Sequence, residues 1–313
     1  MTPAPAAGWG PWQALAGVPN LDPDVLRETL DGGQSFRWVR EDDTTWLGAW
    51  SETLVRIRSG SGGSLHWATP AGRTDATADA LAKYLAVDRN FGDLADTLPW
   101  RSDAHLALCL ERWRGLRILR QPFGETLLGF LCSATKQIVQ IKQMLALLAE
   151  RHGAPLPGIG VLEPGLPVHL THRLPTWPEL ARIPESTLRG CLLGFRARYI
   201  SETARFLAEH PGWLEATEAA PYAEAKERLC SLPGVGEKVA DCVLLFGAGR
   251  LEAFPVDTWI LKALARRYGL DDWKPAQVAT FGRAHFGPLA GFAQQFLFAQ
   301  ERAAGRNPGP SGA

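Results

Sequence analysis

Between residues 34 and 69 the apolar positions alternate or cluster with β-formers. The runs are Ser35-Phe-Arg-Trp-Val, Thr45-Trp-Leu-Gly-Ala-Trp and Thr53-Leu-Val-Arg-Ile-Arg, with turn material at 40–43 and 59–63 between and after them. This pattern predicts an antiparallel sheet with its tryptophans on one face. After Asp75 the period lengthens, and helical spacing covers 77–85, 105–113, 125–152, 178–183, 188–210, 222–229, 237–246, 258–268 and 292–302. Residues 153–171, with four prolines and four glycines, read as a loop between helices. Residues 1–20, rich in Ala, Pro and Gly, and residues 305–313 are expected to be flexible ends. The fold class is α+β: an antiparallel sheet domain with flanking helices at 21–100, then an all-helical body at 101–304.

Composition supports a packed chain, since 46% of the 313 residues are hydrophobic and 21% charged. Apolar runs such as Val243–Phe246 are far too short to span a bilayer, so no membrane association is expected. The first residues lack the charged start and apolar block of a secretory signal, and an intracellular protein, in the cytoplasm or nucleoid, is expected. Five dispersed cysteines without a CxxC pair fit a reducing compartment and exclude a four-cysteine metal or iron–sulfur site made from paired spacings. His169 and His172 are the one close histidine pair, in a proline-rich stretch, and no metal site is expected. Thirty-three basic and 33 acidic residues cancel, yet unevenly. Residues 1–100 hold 8 basic and 13 acidic side chains (−5), 101–200 hold 13 and 7 (+6), and 201–313 hold 12 and 13 (−1). A basic middle, including Lys136, Arg196 and Arg198, leaves room for a nucleic-acid partner despite overall neutrality.

One segment carries chemistry: Leu232-Pro-Gly-Val-Gly-Glu-Lys-Val-Ala-Asp-Cys, after the helical stretch 222–229. Gly234 and Gly236 around Val235 allow a tight reversal and leave amides uncovered at the start of the next helix, a natural phosphate site. An ordinary helix–helix turn has the same pattern. A helix start is a poor place for a cation, and its field favours the free amine that a nucleophilic lysine requires, so Lys238 stands out. An exposed, phosphate-binding lysine is the plainer alternative. Nineteen residues on, Phe254-Pro-Val-Asp-Thr-Trp places Asp257 before another helical pattern. It is suited to capping that helix, and equally to facing Lys238 across the gap between helices.

The hairpin followed by Pro-Val-Asp resembles the helix–hairpin–helix DNA glycosylases with a catalytic lysine, and among them the 8-oxoguanine DNA glycosylases. Further stretches agree in order: Gly33-Gln-Ser-Phe-Arg-Trp, Leu193-Gly-Phe-Arg-Ala-Arg-Tyr and Gly287-Pro-Leu-Ala-Gly-Phe-Ala-Gln-Gln-Phe-Leu-Phe. The resemblance spans roughly 21–302, with the hairpin at about 222–247. It implies base-excision repair of damaged double-stranded DNA by a monomer. Lys238 would attack the sugar C1′ and form a Schiff base, β-elimination would cut the strand, and Asp257 would stabilise the developing cation. The flipped base would meet the Gly33 carbonyl, Cys242, Phe246, Gln294 and Phe298. The Gly33 carbonyl would accept the N7 hydrogen that 8-oxoguanine has and guanine lacks. Phe195 would wedge into the stack, with Thr135 beside it, and Arg196 would read the opposite cytosine. No cofactor is implied beyond a structural monovalent cation held by hairpin carbonyls.

Three positions depart from the pattern. Ala134-Thr-Lys-Gln stands where the animal enzymes have an Asn-rich run, Gln140 where they have a second cytosine-reading arginine, and Trp259 where they have a histidine. The first two point to a looser preference for cytosine opposite the lesion. Two other functions share parts of the pattern. A monofunctional relative using water on alkylated or mispaired bases leaves Lys238 without a role. A non-enzymatic DNA-binding hairpin leaves the Asp257 spacing unexplained.

Overall fold

The computed structural model describes residues 8–19, 21–60, 64–157 and 165–306. Strands β1 (Gln13–Pro19), β2 (Trp38–Arg40), β3 (Thr45–Trp50), β4 (Thr53–Ser59) and β5 (Ser64–Ala68) form an antiparallel sheet in the order β1-β5-β4-β3-β2. Trp46 pairs with Ile57 and Ile57 with Trp67, while Trp38 pairs with Gly48, two residues from both Trp46 and Trp50. With a side-chain period of two, all four tryptophans share a face, as the sequence pattern predicts. A Cβ on Gly48 would lie 2.3 Å from the Trp38 ring, so only glycine lets that indole cross the strand.

Helix α1 (Pro23–Asp31) precedes β2, and α2 (Thr74–Tyr84), α3 (Phe91–Thr97) and α4 (Ala104–Arg112) follow β5. Tyr84 seats α2 on the tryptophan face: its ring stacks on Trp50 at 4.1 Å and its hydroxyl accepts from Trp38 Nε1 at 3.0 Å. The body contains α5 (Phe123–Leu131), α6 (Ile138–His152), α7 (Val168–Thr171), α8 (Trp177–Ala181), α9 (Glu185–Leu188) and α10 (Arg196–Glu209). It continues with α11 (Trp213–Ala219), α12 (Tyr222–Cys230), α13 (Glu237–Phe246), α14 (Thr258–Tyr268), α15 (Pro275–Phe286) and α16 (Ala290–Arg306). One apolar core joins the tryptophan face to these helices. Among the described residues no helix is long and apolar enough to cross a membrane.

Several expectations need correcting. The N-terminal stretch 1–20 contains β1, which is pinned to β5 and buries Leu15 and Val18. Its small residues and glycines hide the strand period. Residues 305 and 306 end α16 rather than opening a tail, and 307–313 lie outside the described residues. The helical spacings 125–152 and 188–210 are each broken, at 132–137 and at 189–195. Both flanks of each break keep the apolar period in phase, so the period alone does not reveal it. In the loop 153–171 the described part covers the sheet's second face, where Leu156 and Leu170 pack with Leu47, Ala49 and Leu54. Arg37, buried in the sheet domain, donates to the His169 and His172 carbonyls at 2.5 Å each, so the histidine pair serves through its backbone.

Candidate active site

The helix–hairpin–helix is α12, the turn through Gly236, and α13. In the turn the Val235 amide donates to the Leu232 carbonyl at 3.1 Å. Gly234 has φ +77°, and a Cβ there would sit 2.4 Å from the Tyr199 ring. The glycine is required twice, by conformation and by contact. Helix α13 starts without a side-chain cap, so its first amides and its dipole face outward beside Gly234 and Gly236, which are exposed. Val235 differs from its expected role: its side chain is buried and its amide is engaged within the turn. The Leu232 amide in turn donates to the Leu229 carbonyl at 3.1 Å, so the turn is held by its own backbone bonds.

Behind the hairpin, Asp241 is 1% exposed and carries its own counterparts. Tyr222 donates to Oδ1 at 2.7 Å and Lys226 to Oδ2 at 3.1 Å, both from α12. This locks the two arms together and fixes the direction in which Lys238, three residues earlier, leaves α13. Burial raises the Asp241 carboxyl, opposed by Lys226 and Tyr222.

Lys238 enters a cleft of about 950 Å³. Its Nζ lies 3.4 Å from Ser133 Oγ, whose own hydrogen is donated to the Phe130 carbonyl at 2.7 Å, and 5.2 Å above the Phe130 ring. Asp257 lines the same cleft. It is indeed the N-cap of α14, accepting from the Trp259 and Ile260 amides at 3.0 and 2.9 Å, but both bonds go to Oδ1. The cap thus fixes the carboxylate without using Oδ2. Burial raises its protonation point above the ordinary aspartate range, and the cap amides and Lys238 oppose that rise. At its far end α14 is held by Tyr268, which donates to the buried Asp103 at 2.8 Å.

The opposite wall is built from both ends of the chain. Gly33 follows α1 with φ +106°, and Phe298 stands on α16; a Cβ on Gly33 would lie 3.7 Å from the Phe298 ring and 3.1 Å from Ile138. Arg302, one turn after Phe298, donates to Glu28 at 2.8 Å and to the Gly32 carbonyl. A buried ion pair therefore ties the two parts of this wall, α1 and α16, together.

Lys238, Asp257, Gly33, Phe298, Thr135, Gly234 and Gly236 line this one cleft. Cys242, Phe246 and Gln294 lie behind it. Burial pushes the Cys242 thiol up to about 11, so it is a packing surface and not a rival nucleophile. Phe246 stacks on Phe130 at 5.6 Å. Gln294 donates to the Pro255 carbonyl at 3.0 Å and accepts from Gln295 at 2.7 Å. Phe195 is half exposed beside Tyr199. Arg196 is 2% exposed and tied to the Ala134 and Leu193 carbonyls and to Thr135 Oγ1, holding two loops together. Gln140 accepts from the Gln137 amide at 3.1 Å at the start of α6. Phe36, Phe130, Ser133, Trp259 and Lys262 also line the cleft. Sequence reasoning passed over Phe130 and Ser133 because they fall where one continuous helix was expected.

The two halves of the chain match different family models. Residues 21–127 match the N-terminal domain of 8-oxoguanine DNA glycosylase, and residues 128–283 match the HhH-GPD superfamily base excision DNA repair protein. The N-glycosylase/DNA lyase OGG1 of Arabidopsis thaliana is 31% identical over 88% of this chain and 77% of its own.

The chain belongs to the 8-oxoguanine DNA glycosylase family.

The Saccharomyces cerevisiae N-glycosylase/DNA lyase is 32% identical over 78% of this chain and 68% of its own. The 8-oxoguanine glycosylase/lyase of Clostridium acetobutylicum, solved with double-stranded DNA containing cytosine opposite 8-oxoguanine, superposes with a TM-score of 0.80. It is 30% identical, covering 90% of this chain and 92% of that one. The family's boundary between models, at residue 127, falls inside α5, which belongs to the core shared by sheet and helices.

Proposed function

We infer that the protein is a bifunctional DNA glycosylase and strand-cutting lyase that removes 8-oxoguanine from double-stranded DNA in base-excision repair. The observation that carries the reading is the meeting of Lys238 and Asp257 in one cleft whose far wall is Gly33 and Phe298. The flipped nucleotide enters this cleft, with its base between the far wall and the Phe130 side and its sugar towards the hairpin. The Lys238 amine bonds to C1′ as the glycosidic bond breaks, and the electron pair leaves with the base. The lysine nitrogen then forms a Schiff base with the opened sugar. Loss of a C2′ proton breaks the C3′–O bond and cuts the strand. Asp257, capped through Oδ1, stabilises the developing cation and accepts a proton from the amine. The residues themselves supply this chemistry, so no cofactor is required. The enzyme acts inside the cell as a monomer, in the cytoplasm or nucleoid.

Borohydride trapping on duplexes containing 8-oxoguanine tests the reading. The wild-type chain should give a covalent adduct, and Lys238→Gln should give none. No adduct from the wild type on any duplex would sink it.

A further inference from the structure

Five non-glycine residues among those described have positive φ, and Leu192 is the one that is both large and apolar. Its φ is +61° and its side chain is 54% exposed. A branched aliphatic residue in the left-handed region is strained, and an exposed one forgoes burial as well. Two unfavourable choices at one residue call for a use, because such strain persists where a site needs it. The surroundings make the placement rigid. Cys191 and Leu193 on either side are fully buried, so Leu192 is held outward by a fixed frame. Three residues later Phe195 is the next exposed apolar side chain, at 50%. Arg196 lies over the Phe195 ring at 4.3 Å and bonds Ala134 and Thr135 across the gap. Thr135 itself has φ +55°. Two strained tips, 192–195 and 134–137, are thereby clipped together at the edge of the cleft.

We propose that Leu192 is a second wedge, which enters the duplex beside Phe195 and separates the base step next to the extruded nucleotide. This deepens the glycosylase reading and rests on it. An aliphatic side chain gains burial by intercalating between stacked bases, and apolar wedges are a general means of unstacking a step. The rigid clip matters because a wedge that yields cannot push bases apart. The patch is continuous with Phe195, which makes the occupant DNA and not a second copy of the chain.

The test uses Leu192→Asn and Leu192→Gly, both of which accept positive φ without strain. Neither should lower the unfolding midpoint. Single-turnover excision on a fully paired duplex should fall roughly tenfold, about the value of one buried aliphatic side chain. Excision should stay unchanged when the lesion faces a one-nucleotide gap, where no partner needs displacing. Wild-type rates on the paired duplex, or equal losses on both substrates, would overturn the proposal. So would a fall in mass from dimer to monomer in light scattering with excision unaltered, which would assign the patch to a second copy. The wild type's borohydride adduct is scored in parallel. If it is absent the glycosylase reading fails, and if it is present while the variants match wild type only the wedge fails.

Discussion

Lys238 and Asp257 are held in the cleft by different means. The lysine is aimed by the helix it starts, with Ser133 and Phe130 under its amine, while the aspartate is fixed by the amides it caps. Because burial raises Asp257, the acid limb of the activity profile should lie above the ordinary aspartate range, and Asp257→Asn should lower the rate and remove that limb. Stability moves in the same window with its own sign. The folded chain holds the Asp257 proton more tightly than the unfolded chain, so stability falls as pH rises from the unfolded value through the raised one. Urea midpoints from about pH 4 to 7 should therefore fall less steeply with rising pH in Asp257→Asn than in wild type. At this scale the sequence singled out Lys238, Asp257 and Phe298, which the structure brings to one cleft. Arg196, Cys242 and Gln294, expected at the DNA or the base, are buried in this structure and make their contacts within the protein.

The elements show why. Helices 237–246 and 258–268 are legible to the residue, since a glycine turn starts one and an aspartate cap the other. The breaks at 132–137 and 189–195 were invisible because helical periodicity resumes in phase after each. They also carry the cleft-lining residues 134–137 and the proposed wedge at 192–195. The hairpin's rigidity depends on the buried Asp241 group. Lys226→Met leaves that carboxylate without its cation and should cost about 3–5 kcal/mol. Asp241 already has a raised folded value, and losing Lys226 raises it further, so the variant's deficit should shrink as pH falls and the carboxyl protonates. A thermal melt at two pH values checks this. A deficit that does not change with pH would place the strain elsewhere.

For the whole molecule, the neutral total conceals an internal settlement of charge. The surplus bases of the middle segment are largely taken up by carboxylates. Arg112 pairs with Asp24, Arg120 with Asp88 and Lys142 with Asp31, all across the seam to the acidic first hundred residues, while Arg198 pairs with Glu202 on its own helix. Among the described residues, the cations lining the cleft outside such pairs are Lys136, Lys238 and Lys262. Binding to undamaged duplex should accordingly show a shallow salt dependence, with a log–log slope of roughly −3. Fluorescence anisotropy over a salt series measures it, and a slope near −6 would mean that the seam opens to release its bases. Composition by segment foretold the asymmetry. The pairing that neutralises it depends on which surfaces meet, and no one-dimensional pattern carries that.

The clasp from Arg302 to Glu28 and the Gly32 carbonyl also bears on how the enzyme is made. During synthesis the sheet precedes Lys238 and Asp257, and the helix bearing Phe298 follows both. Until that helix docks, the Lys238 amine stands without the wall that faces it across the cleft. On the proposed roles, synthesis makes the reactive group before the part that restrains it, and the final turns of α16 close the wall that faces the lysine.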